Sequence, residues 1–196
     1  LVPLKKRVAA LVNLRETFIN HVDDLSDLIS RENGKPRFEA MVNEIFAAIE
    51  LCTFFAKTGE SLLRDTKIPM GIMKHRASSQ PSWPLGVIAV ITPWNYPFLL
   101  PMGELVMGVL CGNAVIFKPS EITPLVGLRI QELFEEAGFP KGLISTVIGD
   151  GAIGAAIIEQ KPAKIFFTGC VMTGKRIMRA AADHLIPVNL ELGGKD

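Results

Sequence analysis

An acidic residue followed by a glycine pair stands near the end of this chain. Glu191 comes directly after the apolar run 186–190, and Gly193 and Gly194 follow it. A carboxylate at the end of a buried strand is a familiar way to build a general base. Such a base would precede, in the chain, the group that it activates. We therefore expect the sequence to be part of a larger enzyme whose nucleophile follows Asp196.

Unusual residues also follow four earlier apolar runs. A purely structural domain does not need glycines and polar side chains at the end of every strand. If the runs are parallel strands, their carboxyl ends meet at one edge of a sheet, where ligands bind in open α/β folds. In chain order the groups are Thr92-Pro93-Trp94-Asn95-Tyr96-Pro97, Lys118-Pro119-Ser120-Glu121, Gly149-Asp150-Gly151 and Thr168-Gly169-Cys170.

Two glycine patterns in these groups are typical of phosphate-binding loops. Residues 149–154 spell GxGxxG, but the Asp150 carboxylate would repel a pyrophosphate, so a tight turn beside a cofactor is favoured over direct contact. Residues 169–175 spell GxxxxGK, yet Arg176 stands where a magnesium-binding P-loop has Ser or Thr. An ATP-binding P-loop protein is thus the weaker alternative, and Lys175 with Arg176 reads as a solvated helix face. The glycine turn can still hold a phosphate at the start of a helix.

The elements that must position these residues alternate between short apolar strands and helices. Strands are predicted at 87–91, 114–117, 143–148, 165–167 and 188–190, and helices at about 98–110, 124–137, 152–159 and 173–182. Continuous apolar strands indicate a parallel sheet that is covered on both faces. The prediction is an α/β fold with a doubly wound, five-stranded parallel sheet of Rossmann type, preceded by a helical segment.

The chain divides into three predicted parts. Residues 1–65 show helical spacing of apolar residues over 4–29 and 38–55, which predicts a helical layer that packs on the next domain. Residues 66–84 contain proline, serine and short apolar alternations, which predict strands or an extended connection. Residues 85–196 form the predicted Rossmann-like domain.

Composition excludes several classes of protein. Lys plus Arg total 21 and Asp plus Glu total 20, so the chain has neither a nucleic-acid footprint nor an electrostatic membrane anchor. No apolar run approaches the roughly 20 residues that span a bilayer. The cysteines Cys52, Cys111 and Cys170 form no CxxC pair, which argues against a disulfide framework and against a metal site. They are typical of reduced thiols, and we expect a cytoplasmic protein.

Taken together, these groups resemble motifs of the NAD(P)-dependent aldehyde dehydrogenase superfamily. The motifs occur in the family's order over residues 84–196, and the helical region before them also fits. The resemblance implies the amino-terminal, NAD-binding part of such an enzyme. The similar segments are Pro84-Leu85-Gly86-Val87 with Pro93-Trp94-Asn95-Tyr96-Pro97, Gly112-Asn113 with Lys118-Pro119-Ser120-Glu121, Phe167-Thr168-Gly169, and Glu191-Leu192-Gly193-Gly194-Lys195.

The resemblance implies a role for each matched residue. Asn95 would donate its amide to an oxyanion, because a fixed neutral donor stabilises developing negative charge, and Glu191 would be the general base. Lys118 and Glu121 would hold the adenosine ribose; the Glu121 carboxylate favours NAD, whereas Lys118 leaves NADP open. Cys170 stands where the family commonly has Ser, which removes a hydroxyl donor. The other implied cofactor contacts are Thr92, Pro93, Trp94, Ser120, Gly151, Gly169, Leu192 and Gly193.

The reaction implied by the resemblance oxidises an aldehyde to a carboxylic acid. A cysteine thiolate attacks the aldehyde, hydride passes to NAD, and water hydrolyses the resulting thioester. In the family that cysteine lies downstream of the Glu-Leu-Gly-Gly segment, so we expect the fragment alone to be inactive. The full-length enzyme is expected to be a homo-oligomer whose oligomerisation element begins in 66–84. The competing hypothesis is a non-catalytic nucleotide-binding module that ends near residue 196.

Overall fold

The amino-terminal part of the chain is helical. The computed structural model describes residues 2–73 and 75–195. The one helix predicted over 4–29 is wrong, because the backbone leaves helical geometry at His21 (φ −111°, ψ 14°). The apolar positions continue in step across that break, so their spacing does not reveal it. The helices are α1 (Leu4–Asn20), α2 (Val22–Asn33), α3 (Arg37–Ala40) and α4 (Ala47–Leu62), and a π-helix (Met41–Phe46) joins the last two.

A parallel sheet forms the rest of the fold. Its strands are β3 (Val87–Ile91), β4 (Ala114–Lys118), β5 (Ile144–Thr146), β6 (Lys164–Gly169) and β7 (Val188–Leu192). They lie in the order β5-β4-β3-β6-β7, so the chain winds outward from β3 in both directions. This order confirms the predicted doubly wound sheet. The helices between them are α5 (Leu99–Leu110), α6 (Pro124–Glu136), α7 (Gly151–Glu159) and α8 (Val171–Asp183).

Some element boundaries differ from the prediction. The edge strand β5 covers only residues 144–146 of the predicted 143–148. The last helix begins at Val171 rather than at residue 173, because Cys170 already stands at its N-cap position. Residues 66–84 contain the short antiparallel pair β1 (Thr66–Ile68) and β2 (Ser78–Gln80).

Two apolar cores lie on opposite faces of the sheet. Along β3, Ile88 and Val90 point into a core that α1, α2, α4, α5 and α6 share. Ala89 and Ile91 point to the other face, into a smaller core beneath α7 and α8. The helical segment therefore completes the core on one face of the sheet.

Charged side chains of the helical segment bind the ends of helices in the α/β part. The Glu44 carboxylate accepts hydrogen bonds from the N–H groups of Phe98 and Leu99 at the start of α5 (2.8 and 3.2 Å). The Arg7 guanidinium donates to the Leu110 carbonyl at the other end of that helix. These partners satisfy groups that a helix cannot pair internally and match the sign of its dipole.

The start of α6 is capped in the same way. The two oxygens of the Glu32 carboxylate accept from the N–H groups of Leu125 (2.7 Å) and Val126 (2.8 Å). Thr123, at the N-cap position itself, makes no capping hydrogen bond with its side chain. Its buried hydroxyl has no partner in residues 2–73 and 75–195. The cap of α6 thus comes from a residue far away in the sequence.

A close contact fixes α6 against the loop that follows β4. A Cβ at Gly127 would lie 2.7 Å from Pro119 Cβ and still closer to Cγ of that rigid ring. Gly127→Ala is expected to cost about 1–3 kcal/mol by overpacking, and the helical preference of alanine offsets only about 0.5–1 kcal/mol. The expected net result is a loss of about 1–2 kcal/mol in the free energy of unfolding, measured by urea denaturation.

Gly103→Ala is the matched control for this prediction. Gly103 also lies inside a helix, but a Cβ there would have no heavy atom within 4 Å. This substitution is expected to raise the free energy of unfolding by about 0.5–1 kcal/mol. If both substitutions stabilised the protein equally, the proposed contact between α6 and Pro119 would be disproved.

Candidate active site

A cavity of about 560 Å³ opens at the carboxyl ends of β4, β3 and β6. This is the point where the strand order reverses, and open α/β sheets bind ligands there. Eight of the thirteen residues predicted to act in catalysis or cofactor binding line it. These eight are Thr92, Pro93, Lys118, Ser120, Glu121, Gly151, Gly169 and Cys170.

Thr92 lines this cavity and carries a buried, unpaired hydroxyl. The residue directly follows β3 and is only 4% exposed. Its hydroxyl oxygen has no hydrogen-bond partner among the described residues. A buried hydroxyl without a partner loses the hydrogen bonds that water would give it. A polar ligand in the cavity would restore them.

The loop after β4 supplies a cation and a carboxylate to the same cavity. Lys118 is 5% exposed, and its ammonium group donates to the Pro119 carbonyl (3.1 Å) and lies 3.7 Å from the Glu121 carboxylate. The Glu121 side chain is 56% exposed. Lys118 is thus a buried cation, whereas its partner Glu121 is largely exposed. The Ser120 hydroxyl accepts from the Ile122 N–H group (3.2 Å) and shapes the turn.

The two helices that begin beside the cavity differ in how their first N–H groups are used. At α7, the Asp150 carboxylate accepts from the Ala152 N–H group (2.9 Å) and occupies the N-cap position. At α8, the N-cap residue Cys170 makes no capping hydrogen bond with its side chain. The start of α8 is therefore the better anion site, which supports a tight turn rather than a pyrophosphate contact at Asp150.

The environments of the three cysteines differ. Burial raises the pKa of the Cys52 thiol to about 12, and burial also raises the pKa of Cys111. Cys170 is exposed, and its sulfur lies 3.2 Å from the Thr173 hydroxyl. Hydrogen bonding to Thr173 lowers the pKa of Cys170. Cys170 is thus the thiol most easily ionised, but it lines the cavity at the predicted phosphate position.

The two predicted catalytic residues lie outside the lining of the cavity. Asn95 is exposed in the turn after β3, and its backbone carbonyl accepts a hydrogen bond from Lys35 (2.8 Å). Glu191 is exposed near the end of β7, where it pairs in register with Thr168 of β6. Both therefore stand at the carboxyl edge of the sheet, two strands apart.

The remaining predicted residues lie beside these two. Trp94 is 50% exposed next to Asn95. Leu192 packs against Gly174 of α8, and the Gly193 N–H group donates to the Gly169 carbonyl (3.3 Å). These contacts tie the end of β7 to the start of α8.

Glu104 of α5 is a charged residue near Glu191 that the sequence analysis missed. Val188 and Leu190 pack into the core under α8, so Glu191 points to the opposite face of the sheet, where α5 lies. Burial raises the pKa of Glu104, the neighbouring Glu191 carboxylate raises it further, and Lys164 opposes the shift. Glu104 could not be predicted as part of the site, because its proximity to Glu191 of another element leaves no local pattern in the sequence.

Thr173 and Arg176 also belong to the cavity, although no sequence motif includes them as site residues. Both lie on the first turns of α8 and line the cavity. Arg176 was interpreted as part of a solvated helix face, and it is indeed exposed. Its helical spacing from Cys170 and Thr173 was the available signal, because residues three apart share one face of a helix.

No group of three or more His, Cys, Asp or Glu residues that could hold a metal ion occurs in 2–73 or 75–195. Within the same residues, every helix is too short or too polar to cross a membrane.

Comparisons with known proteins give consistent likenesses. The profile described as the aldehyde dehydrogenase family matches residues 1–196. A 4,4'-diapolycopene aldehyde oxidase from Methylomonas sp is 41% identical over 196 residues, which cover 99% of this chain and 37% of that protein. A betaine aldehyde dehydrogenase from Vibrio vulnificus is 37% identical over 195 residues, 97% of this chain and 39% of that protein.

Solved structures show the same similarity. A structure of PnpE in complex with nicotinamide adenine dinucleotide superposes with a TM-score of 0.93 at 33% identity, covering 99% of this chain and 40% of that one. An NAD+ complex of an aldehyde dehydrogenase from Bacillus cereus gives a TM-score of 0.93 at 34% identity, covering 100% of this chain and 40% of the other.

Proposed function

This chain belongs to the aldehyde dehydrogenase family, and we propose that it forms the NAD-binding part of an enzyme that oxidises an aldehyde to a carboxylic acid. The chain spans 37–39% of the length of curated relatives that it matches. We use the term complete enzyme for a polypeptide that contains this chain together with the remainder that those relatives possess. The cavity where the strand order reverses is the observation that carries the proposal.

The residues around the cavity fit a dinucleotide. Thr92 lines the cavity, and its buried hydroxyl has no hydrogen-bond partner among the described residues. The start of α8, which no side chain caps, offers N–H groups and a positive dipole end to the pyrophosphate. The exposed Glu121 carboxylate accepts from ribose hydroxyls, and its charge repels the 2′-phosphate of NADP. NAD is therefore the preferred cofactor, and when bound it supplies the hydride acceptor for the oxidation.

In this proposal Asn95 stabilises the oxyanion, and Glu191 is the general base. The Asn95 side chain donates hydrogen bonds to the oxygen of the aldehyde as negative charge develops on it. The Glu191 carboxylate takes the proton from the attacking thiol or from the water that releases the acid. Glu191 is exposed, which leaves its carboxylate able to reach either group.

The attacking thiol is none of the three cysteines of this chain. Cys52 lies fully buried in the helical layer, and its pKa is raised to about 12, so it supplies no thiolate near neutral pH. Burial also raises the pKa of Cys111. Cys170 lies where the cofactor phosphates bind. We place the nucleophile in the remainder of the complete enzyme.

The complete enzyme is also proposed to be a cytoplasmic homo-oligomer. The free state of Cys52, Cys111 and Cys170 is consistent with a reducing compartment. Ile72 (96% exposed) and Trp83 (75% exposed) are large apolar side chains in this segment that a second copy could cover. The segment 66–84 is thus the proposed start of the oligomer contact.

Cofactor binding by the chain itself tests the proposal. The 196-residue chain is expected to bind NAD more tightly than NADP in calorimetric titrations. Glu121→Ala removes hydrogen bonds to a charged group that are worth about 1.5–3 kcal/mol, so NAD affinity is expected to fall about 10- to 100-fold. NADP affinity is expected to fall less or to rise, because the repulsion of its 2′-phosphate disappears.

Glu39→Ala is the matched control, because Glu39 is an exposed glutamate on α3, away from the cavity. It is expected to leave both affinities unchanged. An absence of NAD binding to the folded chain, or equal losses for both cofactors with Glu121→Ala, would contradict the assigned cofactor site. Aldehyde oxidation is expected only from the complete enzyme.

A further inference from the structure

The turn that carries Asn95 is held by side chains from the helical segment. We call residues 94–99 the Asn95 turn. The Asn33 side-chain amide donates to the Trp94 carbonyl (2.7 Å), and the Lys35 ammonium group donates to the Asn95 carbonyl (2.8 Å). Lys35 also lies 4.1 Å from the centre of the Tyr96 ring. Three consecutive residues of the turn are thus bound from outside the α/β part.

Glu44 joins this contact to the following helix. One carboxylate oxygen accepts from Lys35 at 2.5 Å, and the other accepts from the N–H groups of Phe98 and Leu99. The Glu44 side chain is completely buried, and that of Lys35 is 11% exposed. One buried ion pair therefore binds the turn at Asn95 and again at the start of α5.

The backbone around Glu44 is unusual. Glu44 belongs to the π-helix Met41–Phe46. Such wide turns are rare and frequently occur at functional sites, because they displace side chains from their α-helical direction. Here the side chain so placed is the carboxylate that meets Lys35 and α5.

We propose that Lys35 and Glu44 are positioning residues for the oxyanion donor Asn95. This inference rests on the role proposed for Asn95 above. A buried ion pair is weak evidence of a purely stabilising role, because desolvation of both charges offsets much of their attraction. Its hydrogen bonds to the carbonyl of Asn95 and to the start of α5 fix the backbone on both sides of that side chain. An oxyanion donor depends on such fixed geometry.

The first test measures turnover by the complete enzyme. Glu44→Gln keeps the shape of the side chain but leaves the Lys35 ammonium group without its counter-charge. Its kcat is expected to fall about 10- to 100-fold, with the KM for NAD within about twofold of the parent value. Should the single variant fail to fold, the double variant Lys35→Met/Glu44→Gln removes both charges, and the same loss of kcat is expected.

A double-mutant cycle with Asn95→Ala separates positioning from other effects. If Glu44 acts through Asn95, Glu44→Gln causes no further loss of kcat once Asn95 is alanine. The matched control is Glu32→Gln, which removes the other carboxylate cap but touches only the start of α6. Its kcat is expected to stay unchanged, although its thermal stability falls as in Glu44→Gln.

A second test uses the 196-residue chain and needs no activity. The chain contains two tryptophans, so Trp83→Phe leaves Trp94 of the Asn95 turn as the only indole. Time-resolved fluorescence anisotropy is expected to show faster local motion of Trp94 after Glu44→Gln, and no change after Glu32→Gln.

The outcomes are distinguishable. Unchanged Trp94 motion with Glu44→Gln, or the same loss of kcat in the presence and absence of Asn95, would overturn the positioning role. An unchanged kcat in Asn95→Ala would instead overturn the role proposed for Asn95. In that case the anisotropy of Trp94 would still report whether the ion pair holds the turn.

Discussion

Glu191→Gln is expected to lower the kcat of the complete enzyme by about 10²- to 10⁴-fold, the usual contribution of a positioned general base. Glutamine keeps the size and the hydrogen-bonding capacity of the side chain but cannot take up the proton. The loss should therefore appear in kcat at all pH values where the parent base is ionised, and the affinity for NAD should be unchanged. Steady-state kinetics from acidic to alkaline pH would measure both parameters.

The pKa of Glu104 provides a second measurement of the Glu191→Gln substitution. The Glu191 carboxylate is one of the groups that raise the pKa of Glu104, after burial itself. Its removal is expected to lower the pKa of Glu104 towards the ordinary value, which NMR titration of carbon-13-labelled glutamates would detect. Glu60→Gln, at an exposed position of α4, should change neither kcat nor that pKa. A kcat within tenfold of the parent value for Glu191→Gln would reject the assignment of the base.

Asn95→Ala is expected to lower kcat by about 10²- to 10³-fold, the usual effect of the loss of one oxyanion donor. The effect belongs to the transition state, because the donor matters most when charge has developed on the oxygen. We therefore expect kcat and kcat/KM for the aldehyde to fall by similar factors, and the affinity for NAD to remain.

Asn95→Asp separates the donor from the shape of the side chain. Aspartate has the same size, but an ionised carboxylate cannot donate a hydrogen bond and would repel the oxyanion. Its kcat is expected to be at least as low as that of Asn95→Ala. Asn13→Ala, at an exposed position of α1, is the control with unchanged kcat. If Asn95→Asp retained the parent kcat, hydrogen-bond donation by Asn95 would be refuted.

The positions of the buried parallel strands can be predicted from the local sequence. The runs at 87–91 and 114–117 are continuous and apolar, and the burial of alternate β3 side chains in two cores explains why such a run identifies a parallel strand. The break at His21 could not be found in the same way, because Phe18, Val22 and Leu25 keep helical spacing across it. The ends of β5 could not be predicted either, because an edge strand ends where its only neighbour, β4, no longer pairs with it.

The residues of the site also fall into two groups, those that local sequence predicts and those that depend on tertiary contacts. Lys118 and Gly169 are the last residues of strands and Glu121 lies three residues after one, so strand prediction places them at one edge of the sheet. Glu44 could not be identified, because its partners are Lys35 and the N–H groups of Phe98 and Leu99. These partners are nine and more than fifty residues away in the chain, so the local pattern around Glu44 does not indicate them. Contacts that depend on tertiary packing therefore escape prediction from this sequence.

The caps on α5 and α6 also constrain how the chain folds during synthesis. Glu32 and Glu44 leave the ribosome before the N–H groups that they bind at residues 98, 99, 125 and 126. A carboxylate is costly to bury before its partners exist. We therefore expect the core around the buried Glu44 to close only after Phe98 and Leu99 have been made, although domains generally fold in order from the amino terminus.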